Sequence, residues 1–453
     1  MTVDLTKGKP SRVLLRFALP MILSVLLQQL YVLVDLYVVG NFTAAPQTAV
    51  AAVAAASSVT AIYTAVAVGF NTGCSVLIAR FFGGKKYRSM HTAVRTAWLG
   101  AGLIALVLTV LGFVFCEPLL NLIDTPASAM ESAVSYLRIY TASLLFVFLY
   151  NISNGICTAL GDSATPLYFL AASSVGNVLL DLLFVGVFDW GVEGAAWATF
   201  IAQACSACVL FALLWRRVNR FEGRDAPWIQ PAILKELTAL SVPTVMQQSF
   251  IAVGNFLIQK VIDGLGSEST IAGFSTALKV NGFATACFVT VSAAIAAYTA
   301  QNVGAGEEGR VKQGFVSGTK MLYLLICPIL LLFVICAPFF IKLFLNTSDP
   351  AIMDAAVDAG STFLRFASPF YLVVAIKIAT DGIMRGYGAM KFFIASTIAD
   401  LVLRVALCYV LSAVGMGLYA IPTAWAVGWT AASLMAGIFY KMRVWEKRPK
   451  TIP

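Results

Sequence analysis

The chain is poor in charge. Only 12% of its 453 residues are Asp, Glu, Lys or Arg, about half the share found in soluble domains, while 60% are hydrophobic. Apolar runs of spanning length recur from end to end, more than a water-soluble core can absorb, so an all-α polytopic membrane protein is expected. Short alternating strands are lacking, which excludes an outer-membrane barrel. No small-residue cleavage site follows the first apolar run, which therefore reads as a retained span rather than a signal peptide. No GxxxxGK[ST] occurs and the loops are too short for a nucleotide-binding domain, which disfavours an ATP-driven pump. The nine cysteines fall in or beside apolar segments. Cys205 and Cys208 form a CxxC inside a helix without a second pair nearby, which points to packing rather than a metal or a disulfide. No metal or cofactor is expected.

What is there is a set of twelve candidate spans, near residues 17–39, 50–79, 96–115, 134–160, 166–188, 191–215, 237–262, 269–300, 320–345, 359–384, 392–413 and 418–440. The net charge of +9 sits in short loops, where it reads as a topology signal and a contact for anionic headgroups rather than for nucleic acid. Lys7, Lys9, Arg12 and Arg16 precede the first span, Lys85, Lys86 and Arg88 follow the second, Arg216, Arg217, Arg220 and Arg224 the sixth, and Lys447, Arg448 and Lys450 the twelfth. The alternate loops hold Glu117, Asp124, Asp189, Glu193, Asp263, Glu268 and Asp349. Twelve spans with both termini in the cytoplasm satisfy this bias.

The chain also repeats itself. FALPMILSVLLQQ resembles LSVPTVMQQSF, ARFFGGKK resembles AQNVGAGE, NGICTALGD resembles DGIMRGYGA, and NVLLD resembles DLVLR, in one order and roughly 221–227 residues apart. Six spans per half place the halves in the same orientation, which predicts two pseudo-symmetric six-helix bundles. The expected division is 1–218, a basic linker at 219–236 with Pro227 and Pro231, and 237–453.

The first span is the most informative stretch. It carries Gln28, Tyr31 and Asp35 at i, i+3 and i+7, a polar stripe on one helix face. A carboxylate on a spanning helix costs about 2.5–3.5 kcal/mol at mid-bilayer on insertion scales and faces protein or a cavity. In span 5, Asn177 and Asp181 share a face at i, i+4. Asp181 lies about 22 Å above Pro166, and Asp35 at about 27 Å on its own span. Thr199 on span 6 descends about 12 Å from the other surface, which brings it near the same level. Two carboxylates, an amide and a hydroxyl at one depth suit a shared proton or a desolvated Na⁺.

At this point a family resemblance enters. LPxxxxxxxQ followed by VD and VG in span 1, AR-x-x-GG ending span 2, GDSATP before span 5, GVEGAAWAT opening span 6 and RGYG ending span 10 together resemble the MATE (multidrug and toxic compound extrusion) transporters, of the DinF/MepA-like branch. The resemblance implies the MATE/MOP-superfamily fold with a large cavity between lobes. It implies export of amphipathic or cationic drug-like compounds in exchange for H⁺, or alternatively Na⁺, from a bacterial cytoplasmic (inner) membrane. It carries Asp35, Asn177, Asp181 and Thr199 over as the N-lobe cation site, with Asn151 and Asn154 on span 4 as further members. NorM-like members place acids in spans 7 and 10; the matching positions here are Ile251 and Val374, so no C-lobe cation site is expected and the coupling tilts toward protons.

Gln28, Tyr31, Tyr63, Tyr136, Tyr140, Met246, Lys279 and Met384 are candidates for lining the substrate cavity, since aromatic faces suit flat cations and methionine suits varied shapes. Lys377 with Asp381, and Asp400 with Arg404, are i, i+4 pairs that neutralise each other. Lys279 has no acid one turn away and is expected to pair across helices, or else to face the cavity. A monomer is expected. A flippase of the same superfamily for lipid-linked saccharides is the nearest rival reading. An intramembrane aspartyl protease using Asp35 and Asp181 is remote, because its GxGD motif is absent.

Overall fold

Proline and glycine punctuate a chain that is otherwise all helix-forming. In this computed structural model, which describes residues 3–43, 45–264, 268–345 and 350–444, every regular element among the described residues is helical. In order these are α1 (Pro10–Phe42), α2 (Pro46–Gly83), α3 (Tyr87–Val114), α4 (Cys116–Leu122), α5 (Ala127–Ala142), α6 (Leu144–Ala159), α7 (Ala164–Asp181), a π-helical turn (Leu182–Val187), α8 (Gly191–Val218), α9 (Pro231–Asp263), α10 (Glu268–Gly304), α11 (Glu308–Phe344), α12 (Pro350–Ala367), a 3₁₀ turn (Ser368–Phe370), α13 (Tyr371–Gly386), α14 (Met390–Ala413), a 3₁₀ turn (Gly417–Tyr419) and α15 (Ala420–Lys441). Lys447, Arg448, Lys450 and Asp349, used above to count loops, lie outside the described residues.

Nine helical stretches among the described residues are long and apolar enough to cross a membrane, and the bent pair α5–α6 makes ten. α9, with 33 residues, and α15, with 22, complete the twelve. Both exceed the roughly 20 residues a span needs; α9 is diluted by glutamines and lysines and α15 by small and aromatic residues. The run at 134–160 is not one rod: its axis turns by 50° between Ala142 and Leu144. The run at 359–384 is likewise interrupted, by the turn at Ser368–Phe370, where Pro369 removes a backbone donor.

The described chain forms two compact units. One comprises Leu19–Gln248 with the first few residues, the other Leu5–Ala18 with the chain from Ser249 onward. The starts of α1 and α9 each belong to a different unit from the rest of their helix. The segment 219–230 is no free linker. Arg95 of α3 donates to the carbonyls of Ala226, at 2.5 Å, and Arg224, at 2.8 Å. Thr96 donates to Trp228 O, and the Trp228 ring lies 5.3 Å from the Arg95 guanidinium. Proline and charge made this stretch look like a spacer; its backbone carbonyls are what bind it down.

In the first unit α2 packs against α5 and α6, and α8 against α6 and α7. α2 and the start of α9 cross at backbone contact. A Cβ on Gly73 would lie 2.4 Å from Ser241 Cα, and one on Gly69 would lie 2.5 Å from Val245 Cα. The Thr244 hydroxyl donates to Gly69 O at 2.6 Å. Small residues one turn apart allow this approach. In the second unit α10 is the central helix, packed on α11, α12 and α13, and α14 lies on α15. The N-terminal stretch is tied into that unit: Asn302 donates to Leu5 O, and Arg310 to Gly8 O and Asn302 Oδ1.

The GDSATP motif acts as a staple. Asp162 accepts from the amides of Ala164 and Thr165 and from the Thr165 hydroxyl, and Arg217 at the end of α8 donates to it at 2.5 Å. Burial alone pushes this carboxyl up, but the Arg217 and Thr165 bonds outweigh it and hold Asp162 below the usual carboxylate range. A depressed folded-state value means stabilisation that is full above the unfolded value near 3.9 and is lost as pH falls through the folded one.

Two predictions follow from this packing. Gly73→Val forces backbone against backbone and should cost about 1–3 kcal/mol, read as a lower melting temperature in detergent, whereas Gly102→Ala, with nothing within 4 Å of its Cβ, should be neutral or slightly stabilising. Asp162→Asn should cost about 2 kcal/mol at pH 7, and its gap from the wild type should close as melting is repeated below about pH 4.

Candidate functional site

Three elements of the first unit deliver polar groups to one buried point. α1 presents Tyr31 and Asp35 one turn apart, α7 presents Asn177 and Asp181 one turn apart, and α8 brings Thr199. The helical period that put each pair on one face also turns those faces inward: Asp181 is 0% exposed and Asp35 7%, with Asn177 and Thr199 also buried. Directly after Asp181 the backbone loosens into the π-helical turn Leu182–Val187, a feature frequent at functional sites.

The Asp35 and Asp181 carboxyls face each other within hydrogen-bonding reach. Such a bond requires one of them to carry a proton, or a cation to sit between them, because two bare carboxylates repel. One oxygen of each, Oδ1, has no hydrogen-bond partner among the described residues. No Lys or Arg pairs with either acid among the described residues. The Asn177 amide is symmetric in shape, and hydrogen bonding decides its orientation. With nitrogen toward Asp181 it donates to Oδ2 at 2.9 Å and its oxygen accepts from Thr199 N at 3.1 Å. The Tyr31 and Thr199 hydroxyls share a hydrogen bond at 3.3 Å. The pair is thus held in place by neutral neighbours while its charge stays uncompensated. Its oxygen-only donors suit a shared proton or a hard monovalent cation.

The structure redistributes the other expected residues. Tyr31 and Tyr136 lie within electrostatic reach of the two acids, and Tyr140 lies near those two tyrosines. Tyr136 and Tyr63 are packed in the hydrophobic core of the first unit, so neither lines an open cavity. Met384 is fully buried in the second unit and is also removed from that role. Gln28 and Met246 are exposed. Asn151 does not join the acids: its amide donates back to Val147 O on its own helix, at 2.8 Å. Asn154 is half-buried on α6 without a bond to either acid. Lys279, expected to pair across helices, is exposed and has no hydrogen bond or ion pair among the described residues. Lys377–Asp381 at 2.5 Å and Arg404–Asp400 pair as the spacing requires. Cys205 and Cys208 are free and exposed on α8 rather than packed inside. Sequence reasoning missed the π-helical turn, for which the run GVFDWG gives only a weak signal, and it missed Arg385, hidden in the RGYG motif.

The sequence model of the MatE family matches residues 20–183 and 243–410, the same two halves that the internal repeat marks out. Over 446 residues the chain is 26% identical to the probable multidrug resistance protein YpnP of Bacillus subtilis (strain 168), covering 98% of this chain and 97% of that protein. It is 28% identical over 353 residues to the probable multidrug resistance protein YoeA of the same organism, 76% of each. A solved structure described as the outward-facing conformation of a multidrug resistance MATE family transporter of the MOP superfamily superposes with a TM-score of 0.91, at 21% identity and 99% coverage of both chains, which shows a shared fold. A multi-pass transporter architecture is therefore in place, and an aspartyl protease is not. The chain belongs to the MatE family of membrane transporters.

Proposed function

We propose that the chain is a secondary active antiporter that exports amphipathic or cationic organic compounds in exchange for H⁺, or alternatively Na⁺, with Asp35 and Asp181 as the coupling pair. The observation that carries this reading is the contact of two buried carboxyls without a basic partner. A proton or a cation entering the pair removes net charge from the bundle, and its departure restores repulsion. Either event changes which packing is favoured, which is what couples an ion gradient to a two-sided carrier. Asn177, Thr199 and Tyr31 orient the pair. The halves 1–218 and 237–453 are the lobes that alternate access. The protein acts as a monomer in a bacterial cytoplasmic membrane with both termini in the cytoplasm, the side marked by lysine and arginine.

Lys279 supports a second reading, a flippase for a lipid-linked saccharide or another amphiphile, since an exposed, unpaired cation on α10 suits an anionic headgroup. Dye accumulation separates the two: expression that leaves accumulation unchanged favours the flippase.

Asp35→Asn and Asp181→Asn should each bring gradient-driven ethidium efflux from vesicles down to background while the purified protein stays monodisperse. Thr199→Val should lower it only several-fold, on the order of one hydrogen bond, about 1 kcal/mol. Normal efflux by both asparagine variants sinks the assignment. Imposing a proton or a sodium gradient alone identifies the ion, and the reading predicts that the proton gradient suffices.

A further inference from the structure

The first unit has a cavity that coupling at Asp35 and Asp181 does not use. It holds about 350 Å³ and lies at the end of the unit that carries the acidic loops. Three parts of the chain wall it: the turn from α1 into α2 with the start of α2, the first turns of α5, and the turn that leads from the π-helical stretch into α8. Thr43 follows Asp35 by eight residues, and Asp189 follows Asp181 by eight. The cavity therefore lies roughly 12 Å further along the same elements as the acid pair.

Its charge is of one sign. Glu131, Asp189 and Glu193 line it, and no lysine, arginine or histidine does among the described residues. None of the three carboxylates has a hydrogen bond or ion pair among the described residues. Arg138, two turns beyond Glu131 on α5, pairs with Glu117 instead. The first turn of α8 also lines the cavity and brings about half a positive charge, which three carboxylates outweigh. A cleft lined by one sign of charge concentrates ions of the other.

Three further observations say which cation fits. Among the described residues no three acids converge closely enough to hold a metal ion, so the positive charge they attract has to belong to a larger body. One wall is aromatic and held in place: Trp190 N donates to Phe184 O at 2.9 Å, and the Trp190 ring stacks on the Phe184 ring with centroids 4.9 Å apart. Trp190 still keeps 51% of its surface exposed, which leaves indole surface for a cation. The hydroxyls of Thr48, Ser132 and Ser135 also line the cavity and have no hydrogen-bond partner among the described residues, so they are free to accept from an N–H. The volume falls at the lower end of the roughly 300–1,000 Å³ usual for small-molecule sites.

We propose that this cavity is a binding site for a small organic ammonium ion, with its charged head among Glu131, Asp189 and Glu193 and its apolar part on the Trp190 ring. The head donates to the free hydroxyls as well as to the carboxylates. The site is separate from the Asp35–Asp181 pair, stands on its own charges and needs neither a gradient nor the coupling assignment.

The test is a calorimetric titration of the purified protein in nanodiscs of neutral phosphatidylcholine, with phenethylammonium as the probe and 3-phenylpropionate, which has the same ring with the opposite charge, as the comparison. Phenethylammonium should bind saturably, and 3-phenylpropionate at least about tenfold more weakly. Asp189→Asn combined with Glu193→Gln should weaken phenethylammonium about fivefold or more, and Trp190→Leu about threefold or more. All three positions are exposed, and asparagine tolerates the left-handed backbone at Asp189, φ 53°, so the variants fold. Phenethylammonium that fails to saturate, or binds no tighter than 3-phenylpropionate, overturns the proposal, as does binding unchanged in both cavity variants. Binding lost in Asp35→Asn but kept in the cavity variants places the probe at the coupling pair and overturns it too.

Discussion

Charge at bilayer depth has to be answered by something, and the two units of this protein answer it differently. In the first, Asp35 and Asp181 meet, and among the described residues no base pairs with them and one oxygen of each acid is left without a donor. In the second, Asp381 and Asp400 are each matched by a cation on their own helix. A matched pair is a static feature, whereas an unmatched pair of acids is complete only when something mobile arrives. On that contrast rests the proposal that ion coupling belongs to the first unit.

The remainder of the first unit serves to hold that meeting point still. Asp35 and Asp181 sit on helices distant in sequence, so their separation is set by packing. The glycine crossing of α2 and α9, the docked segment 219–230 and the Asp162–Arg217 staple each remove a degree of freedom that would let α7 and α8 shift. The π-helical turn after Asp181 is the exception, a place where regular backbone bonding is given up next to the site.

Much of this was legible in the sequence because burial of charge and helical periodicity are strong constraints. Asp35, Asn177, Asp181 and Thr199 were found from spacing and depth alone, and they meet in the structure. Up to ten of the twelve expected crossings followed from apolar length among the described residues. What escaped were features in which residue type does not fix direction. An aromatic or methionine side chain is as content in a core as in a cavity, so Tyr63, Tyr136 and Met384 proved to be packing. Asn151 satisfied itself on its own helix turn, which a helical amide is always free to do. The segment 219–236 has the composition of a spacer, yet backbone carbonyls, invisible to composition, bind it to α3. Arg385 was passed over because it lay in a motif read as a family mark rather than as a charge to be balanced.

If the acid pair holds the coupling cation, as proposed, the cation leaves when cargo is exchanged for it. The most direct measurement is cation release by the purified protein in weakly buffered detergent when ethidium is added, followed with a pH-sensitive and a sodium-sensitive dye. The account predicts that the wild type releases one proton, or one sodium ion, per chain and that a chain lacking the Asp181 carboxylate releases none. No release from the wild type, or equal release without that carboxylate, contradicts it.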